Sequence, residues 1–261
     1  MFRANAFMIA NIKNQSYRAE KGFTLVELSI VIVIIGLIVA GVIGGQSLVH
    51  QAKLKKIATD VTKYKVAINT FKLEYDAIPG DFSNAYAYWG NSCAGNANDC
   101  NGDGNKAVQY WLDGPNGVES LRAWVHLQLA GLINTNLTGI GVQCNSRGTH
   151  AGVNIPKAPI GTGIDASGWE FYSSNAIGGG ATGLVIGNKH HPTCWNHTRA
   201  FIEAKDAYKI DLKIDDGDPI GGEVGSFHAS TLSANANCRN GSDEYNVSYS
   251  GIACALYFKT H

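Results

Sequence analysis

The sequence lacks an excess of charge of either sign, and it also lacks the short motifs of common hydrolases. Its 261 residues include 21 Lys and Arg against 21 Asp and Glu. A general binder of nucleic acid or of anionic membranes would carry a basic excess, so neither class is predicted. No G-x-S-x-G or H-E-x-x-H motif occurs, and the Asp and His residues show no local catalytic spacing. These absences favour a structural or binding protein over an enzyme.

Charge is missing altogether from the sixteen residues 28–43. With the five residues before them, they would form a helix that at about 1.5 Å per residue spans the roughly 30 Å hydrocarbon layer of a bilayer. Such a helix is apolar on every side, so it needs lipid or a bundle of identical helices around it. Residues 1–22 carry four basic residues against one acid. This bias predicts that they stay in the cytoplasm and that the chain from about residue 46 lies outside it.

An ordinary secretory signal is the alternative interpretation of this segment. It would have a shorter apolar core, of about 7 to 15 residues, followed by a small-residue cleavage site, for which Ala40 and Gly41 are candidates. That interpretation does not explain Glu27. A carboxylate within a membrane segment is costly and usually marks a functional contact, so a partner for Glu27 is expected.

The run Lys21-Gly22-Phe23-Thr24-Leu25-Val26-Glu27-Leu28 resembles the class III signal of type IV pilins and of the pseudopilins of type II secretion. The resemblance implies that a prepilin peptidase cleaves after Gly22 on the cytoplasmic face and N-methylates Phe23. It also implies that Glu27 pairs with the amino terminus of Phe23 in a neighbouring subunit, which would neutralise two charges in hydrocarbon. Cleavage removes four basic residues and one acid, so 17 basic and 20 acidic residues remain and the net charge becomes about −3.

The resemblance further implies a domain organisation and a location. Residues 1–22 would be the leader, 23–45 the transmembrane and filament-core half of a long helix, 46–78 its amphipathic half, and 79–261 an extracytoplasmic globular domain. The implied fold is the α+β pilin fold, in which the long helix packs on a C-terminal antiparallel sheet with irregular, disulfide-stapled loops. The subunit would reside in the bacterial inner membrane before it enters a filament. Its partners there would be other pilin or pseudopilin subunits and an assembly platform.

Hydrophobic periodicity supports this outline. Apolar or aromatic residues recur at alternating steps of three and four along residues 54–75, which predicts a helix face packed on the domain rather than a free coiled coil. That helix should end before Pro79. Further helices are predicted at 118–132 and 199–207, and strands at 169–172, 183–186, 222–227 and 252–258.

The six cysteines form an even set in a chain expected to lie outside the cytoplasm, so disulfides are the default interpretation. They are Cys93, Cys100, Cys144, Cys194, Cys238 and Cys254. Many connectivities are possible. Sequence proximity favours Cys93 with Cys100 and Cys238 with Cys254, which leaves Cys144 for Cys194.

Residues 99–105 match the start of a calcium loop, D-x-[DN]-x-[DN]-G. The oxygen ligands would be Asp99, Asn101, Asp103 and Asn105, with Gly104 allowing the sharp turn. The bidentate acid expected six residues after Gly104 is Tyr110 instead, so a further carboxylate would have to come from Asp113, Glu119 or elsewhere. The open alternative is an Asn- and Gly-rich turn closed by a disulfide, which needs no metal.

Two other clusters contain residue types that can bind metals. The acidic run 211–219 is interpreted as a turn before a strand, because Asp, Gly and Pro are ordinary turn residues. A His-rich loop offers ligands for zinc, although oxidation of the cysteines competes with metal binding. Its ligands would be His190, His191, Cys194 and His197.

The function indicated by these features is that of a structural subunit of a type IV pilus or a related filament, which polymerises through its N-terminal helix. A pseudopilin of a type II secretion system has the same features. The competing class is a membrane-tethered extracytoplasmic adhesin or enzyme. An adhesin would need only exposed loops, such as residues 134–168.

Overall fold

The computed structural model describes residues 22–93, 97–109, 118–141, 148–161, 167–173, 182–189, 197–226 and 237–260. The chain forms two compact units, one ending at Leu48 and the other beginning at Val49. A long helix, α1, runs from Leu25 to Tyr75 and contributes residues to both units.

The first unit contains the apolar part of α1. Every residue from 25 to 48 is exposed, including all of the large hydrophobic side chains. An 18-residue window of this helix has a mean hydropathy of 2.9, and α1 is long and apolar enough to cross a membrane by length and composition. The predicted helix without a soluble face is therefore present.

Residues 49–75 of α1 bury one face in the core of the second unit. The large buried side chains are Leu54, Ile57, Val61, Tyr64, Ile68 and Phe71. Their spacing keeps them on one side of the helix. Tyr64 packs edge-on against Trp124 and Trp169, with ring centroids 4.9 and 5.5 Å away. The predicted core-facing stripe is confirmed.

The end of α1 also agrees with its prediction. The helix ends at Tyr75, and Asp76 follows with a left-handed φ of 49°. A left-handed residue is a common helix terminator, and the coming Pro79 disfavours helical conformation just before it.

In the part of the chain that the structure describes, the rest of the second unit consists of short helices and six strands. The helices are α2 (Ala85–Trp89), α3 (Ala97–Cys100), α4 (Glu119–Leu129) and α5 (Ala204–Ile214), with a 3-10 turn at Gly90–Ser92. The strands are β1 (Gly168–Ser173), β2 (Thr182–Gly187), β3 (Ile202–Glu203), β4 (Val224–Ser226), β5 (Ile252–Cys254) and β6 (Leu256–Lys259). The predicted α+β class, with a long N-terminal helix and a C-terminal antiparallel sheet, is confirmed.

The main sheet is antiparallel with strand order β1-β2-β6-β4. Phe258 on β6 lies opposite Leu184 on β2 and Val224 on β4. This register puts all three side chains in the core that the α1 stripe and α4 also fill. A separate pair, β3 and β5, forms a two-stranded sheet beside it.

Three predicted elements need correction. The predicted strand 252–258 is two strands, because β5 pairs with β3 while β6 joins the main sheet. The predicted helix 199–207 is wrong at its beginning. Ile202 pairs with Cys254, and the Phe201 N–H donates to the Cys254 carbonyl at 2.9 Å, so this segment is extended and α5 begins only at Ala204. As α5 continues to Ile214, the acidic turn begins at Asp215 and not at Asp211.

Two of the three predicted disulfides are present, joining Cys93 to Cys100 and Cys238 to Cys254. Each closes a loop of the second unit. The predicted third pair, Cys144 with Cys194, lies outside the described residues.

Candidate functional site

The N-terminal end of α1 is closed by a reciprocal pair of side chains. The Glu27 Oε2 atom accepts from the Thr24 backbone N–H at 2.8 Å and from the Thr24 hydroxyl at 2.9 Å. The Thr24 hydroxyl in turn accepts from the Glu27 N–H at 3.2 Å. The sequence Thr24-x-x-Glu27 thus forms a capping box, which satisfies N–H groups that the first helical turn leaves without partners. The carboxylate has a partner within its own chain.

The residues on either side of the predicted cleavage point are open. Phe23 is 89% exposed, and Gly22 has no described atom within 4 Å of where a Cβ would sit. No packing within the described residues therefore requires glycine at position 22. A backbone without a side chain suits a segment that must pass close to a protease, so the constraint on Gly22 would come from outside this chain.

Three carboxylates of the second unit converge where the chain leaves α1. Each of these residues contributes one carboxylate oxygen, and the three oxygens lie within 4.8 Å of one another. The residues are Asp81, Asp103 and Glu119. Asp81 and Glu119 are buried, whereas Asp103 is exposed. Carboxylate oxygens in such a group are ligands that calcium prefers.

Backbone N–H groups surround this carboxylate cluster. Asp81 accepts from Gly104 and Asn105 through Oδ1, at 2.7 and 3.0 Å, and from Lys106 through Oδ2 at 2.7 Å. Glu119 accepts from the N–H groups of Asp103 and Gln109 at 3.0 and 2.9 Å. The loop 102–109 is therefore wrapped around the two buried acids.

Burial dominates the electrostatics of the cluster. It raises the pKa of Glu119 to about 7, and the nearby Asp103 and Asp81 charges add to the shift while the N–H bonds oppose it. Burial also raises the pKa of Asp81. A divalent cation would relieve this unfavourable concentration of negative charge.

Of the four residues predicted from the calcium-loop pattern, only Asp103 belongs to the cluster. Asp99 lies in α3, and the side-chain oxygen of Asn101 accepts from the Tyr86 N–H at 2.7 Å. Asn105 Oδ1 accepts from the Ala107 N–H at 2.8 Å.

The calcium-loop pattern and the carboxylate cluster share Asp103 and its loop, but the other three predicted ligands are not part of the cluster. Glu119 is one of the further carboxylates that the sequence suggests, whereas Asp81 lies outside the pattern, which considers only neighbours along the chain. The sequence signal that could have indicated Asp81 is the turn Pro79-Gly80-Asp81 directly after the long helix.

His126 fixes the same turn from the core side. Its Nδ1 accepts from the Gly80 N–H at 2.9 Å, so its Nε2 carries the proton and donates to the Cys100 carbonyl at 2.9 Å. Burial lowers the pKa of His126 to about 4, and the neutral ring is therefore maintained. Both nitrogens are used, which makes this residue a structural link and not a free metal ligand.

The second acidic cluster, Asp211, Asp215 and Asp216, also holds a turn. Asp211 accepts from the buried Tyr245 hydroxyl at 2.8 Å and from the Gly217 N–H at 3.1 Å. Burial raises the pKa of Asp211 to about 6. Asp215 accepts from the Glu223 N–H just before β4. Asp211 thus connects α5 to the loop closed by Cys238 and Cys254. Asp215 connects the end of α5 to the turn before β4.

The other predicted or buried polar groups do not form a catalytic arrangement among the described residues. His197 is the one member of the predicted zinc set that is described, and its Nδ1 lies 2.8 Å from the Thr149 hydroxyl. Glu170 on β1 is fully buried, and its Oε2 accepts from the His197 N–H at 2.8 Å. Its Oε1 has no partner in the described part of the chain, and burial raises its pKa to about 8.

Residues 17–43 match a family model described as the prokaryotic N-terminal methylation motif. This motif is the signal of type IV pilins and pseudopilins, so the resemblance inferred from residues 21–28 is confirmed. The motif supports a type IV pilin-like or pseudopilin subunit in general, a structural class with prepilin peptidase and other pilin subunits as partners. Neither the curated proteins nor the solved structures include a significant match to the chain.

Proposed function

We propose that the protein is a structural subunit of a type IV pilus or a closely related filament. Prepilin peptidase cleaves it between Gly22 and Phe23 and methylates the new terminus, and the subunit stays in the inner membrane until it polymerises. The observation that carries this proposal is that no residue of α1 before Leu48 is buried, although this segment is the most apolar in the chain. Lipid first, and sister helices later, would cover it.

The capping box suggests how Glu27 is tolerated at each stage. In the separate subunit, both hydrogen bonds from Thr24 reach Oε2, which lowers the cost of placing the carboxylate in hydrocarbon. Oε1 accepts no hydrogen bond from a described residue. The amine of a neighbouring Phe23 could therefore approach Oε1 without dismantling the cap, and the resulting ion pair would favour assembly.

Glu27→Gln tests this proposal against the tethered-adhesin and tethered-enzyme alternatives. Glutamine keeps the size and the capping acceptor but removes the charge, so incorporation into filaments should fall by roughly a hundredfold, as expected for breaking a buried ion pair. Glu74→Gln is the control, since Glu74 is an exposed acid near the other end of α1. Normal incorporation of the Glu27 variant would contradict the proposal. A chain that used α1 only as a tether would be indifferent to both changes.

A pseudopilin of type II secretion is the second candidate. The specific observation in its favour is the cluster of Asp81, Asp103 and Glu119, because the resemblance includes calcium-loop pseudopilins in the secretion branch. Loss of secreted proteins on deletion of the gene, with surface pili still visible by electron microscopy, would favour this candidate. The reverse pattern would favour the pilus.

We also propose that the cluster binds calcium. The donor set fits the ion, since all three side chains offer oxygen and two are buried with raised pKa values. Thermal unfolding of the full chain should then shift upward with calcium, by an amount equivalent to about 2.7 kcal/mol at a hundredfold excess over Kd. Asp81→Asn should abolish the shift, whereas Asp99→Asn should preserve it. If only the Asp99 variant lost the shift, the result would support the ligand set predicted from the sequence.

A further inference from the structure

A cleft in the second unit lies between the beginning of its α1 segment and α5. Its volume is about 320 Å³, and it is lined by Gln51, Leu54, Lys55, Lys209, Ile210 and Lys213. Leu54 and Ile210 are buried, at 8% and 2% exposure, and form an apolar floor. The three lysines stand at the rim, where their side chains remain exposed or largely so.

The cleft has more positive charge than its surroundings neutralise. Lys209 pairs with Asp206 at 3.1 Å, but the other oxygen of Asp206 contacts His50 Nε2 at 2.6 Å, so this acid is shared between two basic groups. Neither Lys55 nor Lys213 forms an ion pair with any residue that the structure describes. An anion is therefore the ligand that the rim favours.

An apolar floor beneath amine groups fits a particular kind of anion. A phosphate attached to acyl chains would place its charge at the lysines and an apolar part over Leu54 and Ile210. The helix that lines the cleft is the same helix that carries the apolar segment, and Gln51 comes three residues after Leu48. Basic side chains next to a membrane segment attract anionic lipids.

We propose that this cleft binds an anionic phospholipid from the outer leaflet of the inner membrane, with the phosphate at the lysines and an apolar part of the lipid over Leu54 and Ile210. The net charge of about −3 for the processed chain predicts no such affinity, because a sum over the chain hides a local group of lysines. The inference rests on the membrane location in the proposed function. Lipid binding there favours the membrane-resident subunit and so opposes its extraction into a filament.

The test uses the full chain reconstituted in vesicles of phosphatidylcholine alone or of phosphatidylcholine with phosphatidylglycerol. Flotation with the phosphatidylcholine vesicles checks the anchor independently of headgroup charge. Reductive methylation, read by mass spectrometry, then reports the accessibility of each lysine. We expect Lys55 and Lys213 to react severalfold more slowly when phosphatidylglycerol is present, and Lys53 and Lys63 to react equally in both.

Charge-matched variants locate the effect. Native mass spectrometry should show that Lys55→Gln with Lys213→Gln weakens retention of phosphatidylglycerol by about fivefold per lysine. Lys53→Gln with Lys63→Gln removes the same charge from exposed positions on α1 outside the cleft and should weaken retention much less. Thermal unfolding of both double variants verifies that they fold alike.

Several results would overturn the inference. Equal losses in the two double variants would mean diffuse attraction without a site. Protection by inorganic phosphate in phosphatidylcholine vesicles, with no added effect of phosphatidylglycerol, would mean a soluble anion. Protection that appears only in assembled filaments would assign the cleft to a neighbouring subunit. A chain that fails to float with phosphatidylcholine vesicles would remove the anchor, and with it both this inference and the proposed location.

Discussion

The two parts of α1 have the same helix geometry but differ in how their apolar side chains are packed. Residues 25–48 are apolar on all sides and none is buried, whereas residues 49–75 confine their large apolar side chains to one buried stripe. The stripe packs against α4 and the sheet of its own chain. The first part has no such partner among the described residues, and under the proposed function lipid or other subunits would cover it. One helix thus combines a segment that packs in the core of its own domain with an exposed segment to which we assign assembly.

The same substitution in the two parts of α1 should give the largest contrast. Ile57 is fully buried, so Ile57→Ala should lower the free energy of unfolding of the second unit by about 2 to 5 kcal/mol, through lost burial and a cavity. Ile34 is half-exposed, so Ile34→Ala should leave thermal unfolding unchanged and weaken filament assembly instead. Calorimetry and filament yield measure the two effects. Similar unfolding losses for both variants would break the distinction.

A buried acid in the second unit should make its stability depend on pH. The pKa of Glu170 rises from an ordinary 4.5 to about 8 in the folded state, so the folded protein holds a proton that the unfolded chain releases. Its contribution is fully present below about pH 4.5 and is lost as the pH rises through 8. Glu170→Gln should therefore be more stable than the parent at pH 9, by roughly 5 kcal/mol, and within about 1 kcal/mol of it at pH 5.

Denaturant titrations at both pH values check this expectation. The exposed residue Glu74 supplies the control, because Glu74→Gln should give parallel curves at the two pH values. A pH response that survives in the Glu170 variant would have to come from another buried acid, such as Glu119.

Removing one hydroxyl should have a smaller effect on the second unit. In Tyr245→Phe, Asp211 loses the hydrogen bond that connects the disulfide-closed loop to α5, and unfolding should become easier by about 1 to 2 kcal/mol. Tyr249→Phe, in the same loop, is the comparison variant. Amide exchange in the loop 238–254 should accelerate only in the Tyr245 variant, and equal acceleration in both would show that the bond to Asp211 is unimportant.

The smallest expected effect concerns the cap of the first unit. Thr24→Ala removes the hydroxyl that both donates to Glu27 and accepts from it, at a cost of about 1 kcal/mol at the helix terminus. Hydrogen exchange at the first turn of α1 should become faster. Ser29→Ala provides the control, since the Ser29 hydroxyl donates only to the Val26 carbonyl within the helix. Unchanged exchange in the Thr24 variant would mean that the capping box contributes little.

Much of the fold was predictable because it depends on local pattern. The stripe from Leu54 to Phe71 follows helical periodicity, and the end of α1 follows from Pro79. Sequence proximity was enough for two disulfides because each closes a short loop. The strand at Ile202 was not predictable in this way, since it is set by pairing with Cys254, a residue far along the chain.

The candidate sites also differ in whether local sequence pattern was enough to predict them. The capping pair Thr24 and Glu27 lies within one helical turn, and the methylation motif around it could be identified directly from the sequence. The carboxylate cluster could not be identified in this way, since Asp81 joins Asp103 and Glu119 only when the loop 102–109 packs against the turn that follows α1. The basic cleft likewise needs lysines from two helices that are distant in sequence.

The sequence alone determined the apolar helix, its N-terminal signal and the amphipathic stripe, because periodicity and hydrophobicity act between residues a few positions apart. Only the tertiary structure decided which acids meet, which lysines share a cleft and which carboxyl groups are buried. Those properties arise from contacts between distant segments, and a linear pattern contains no measure of the distances that the folded chain brings below 5 Å.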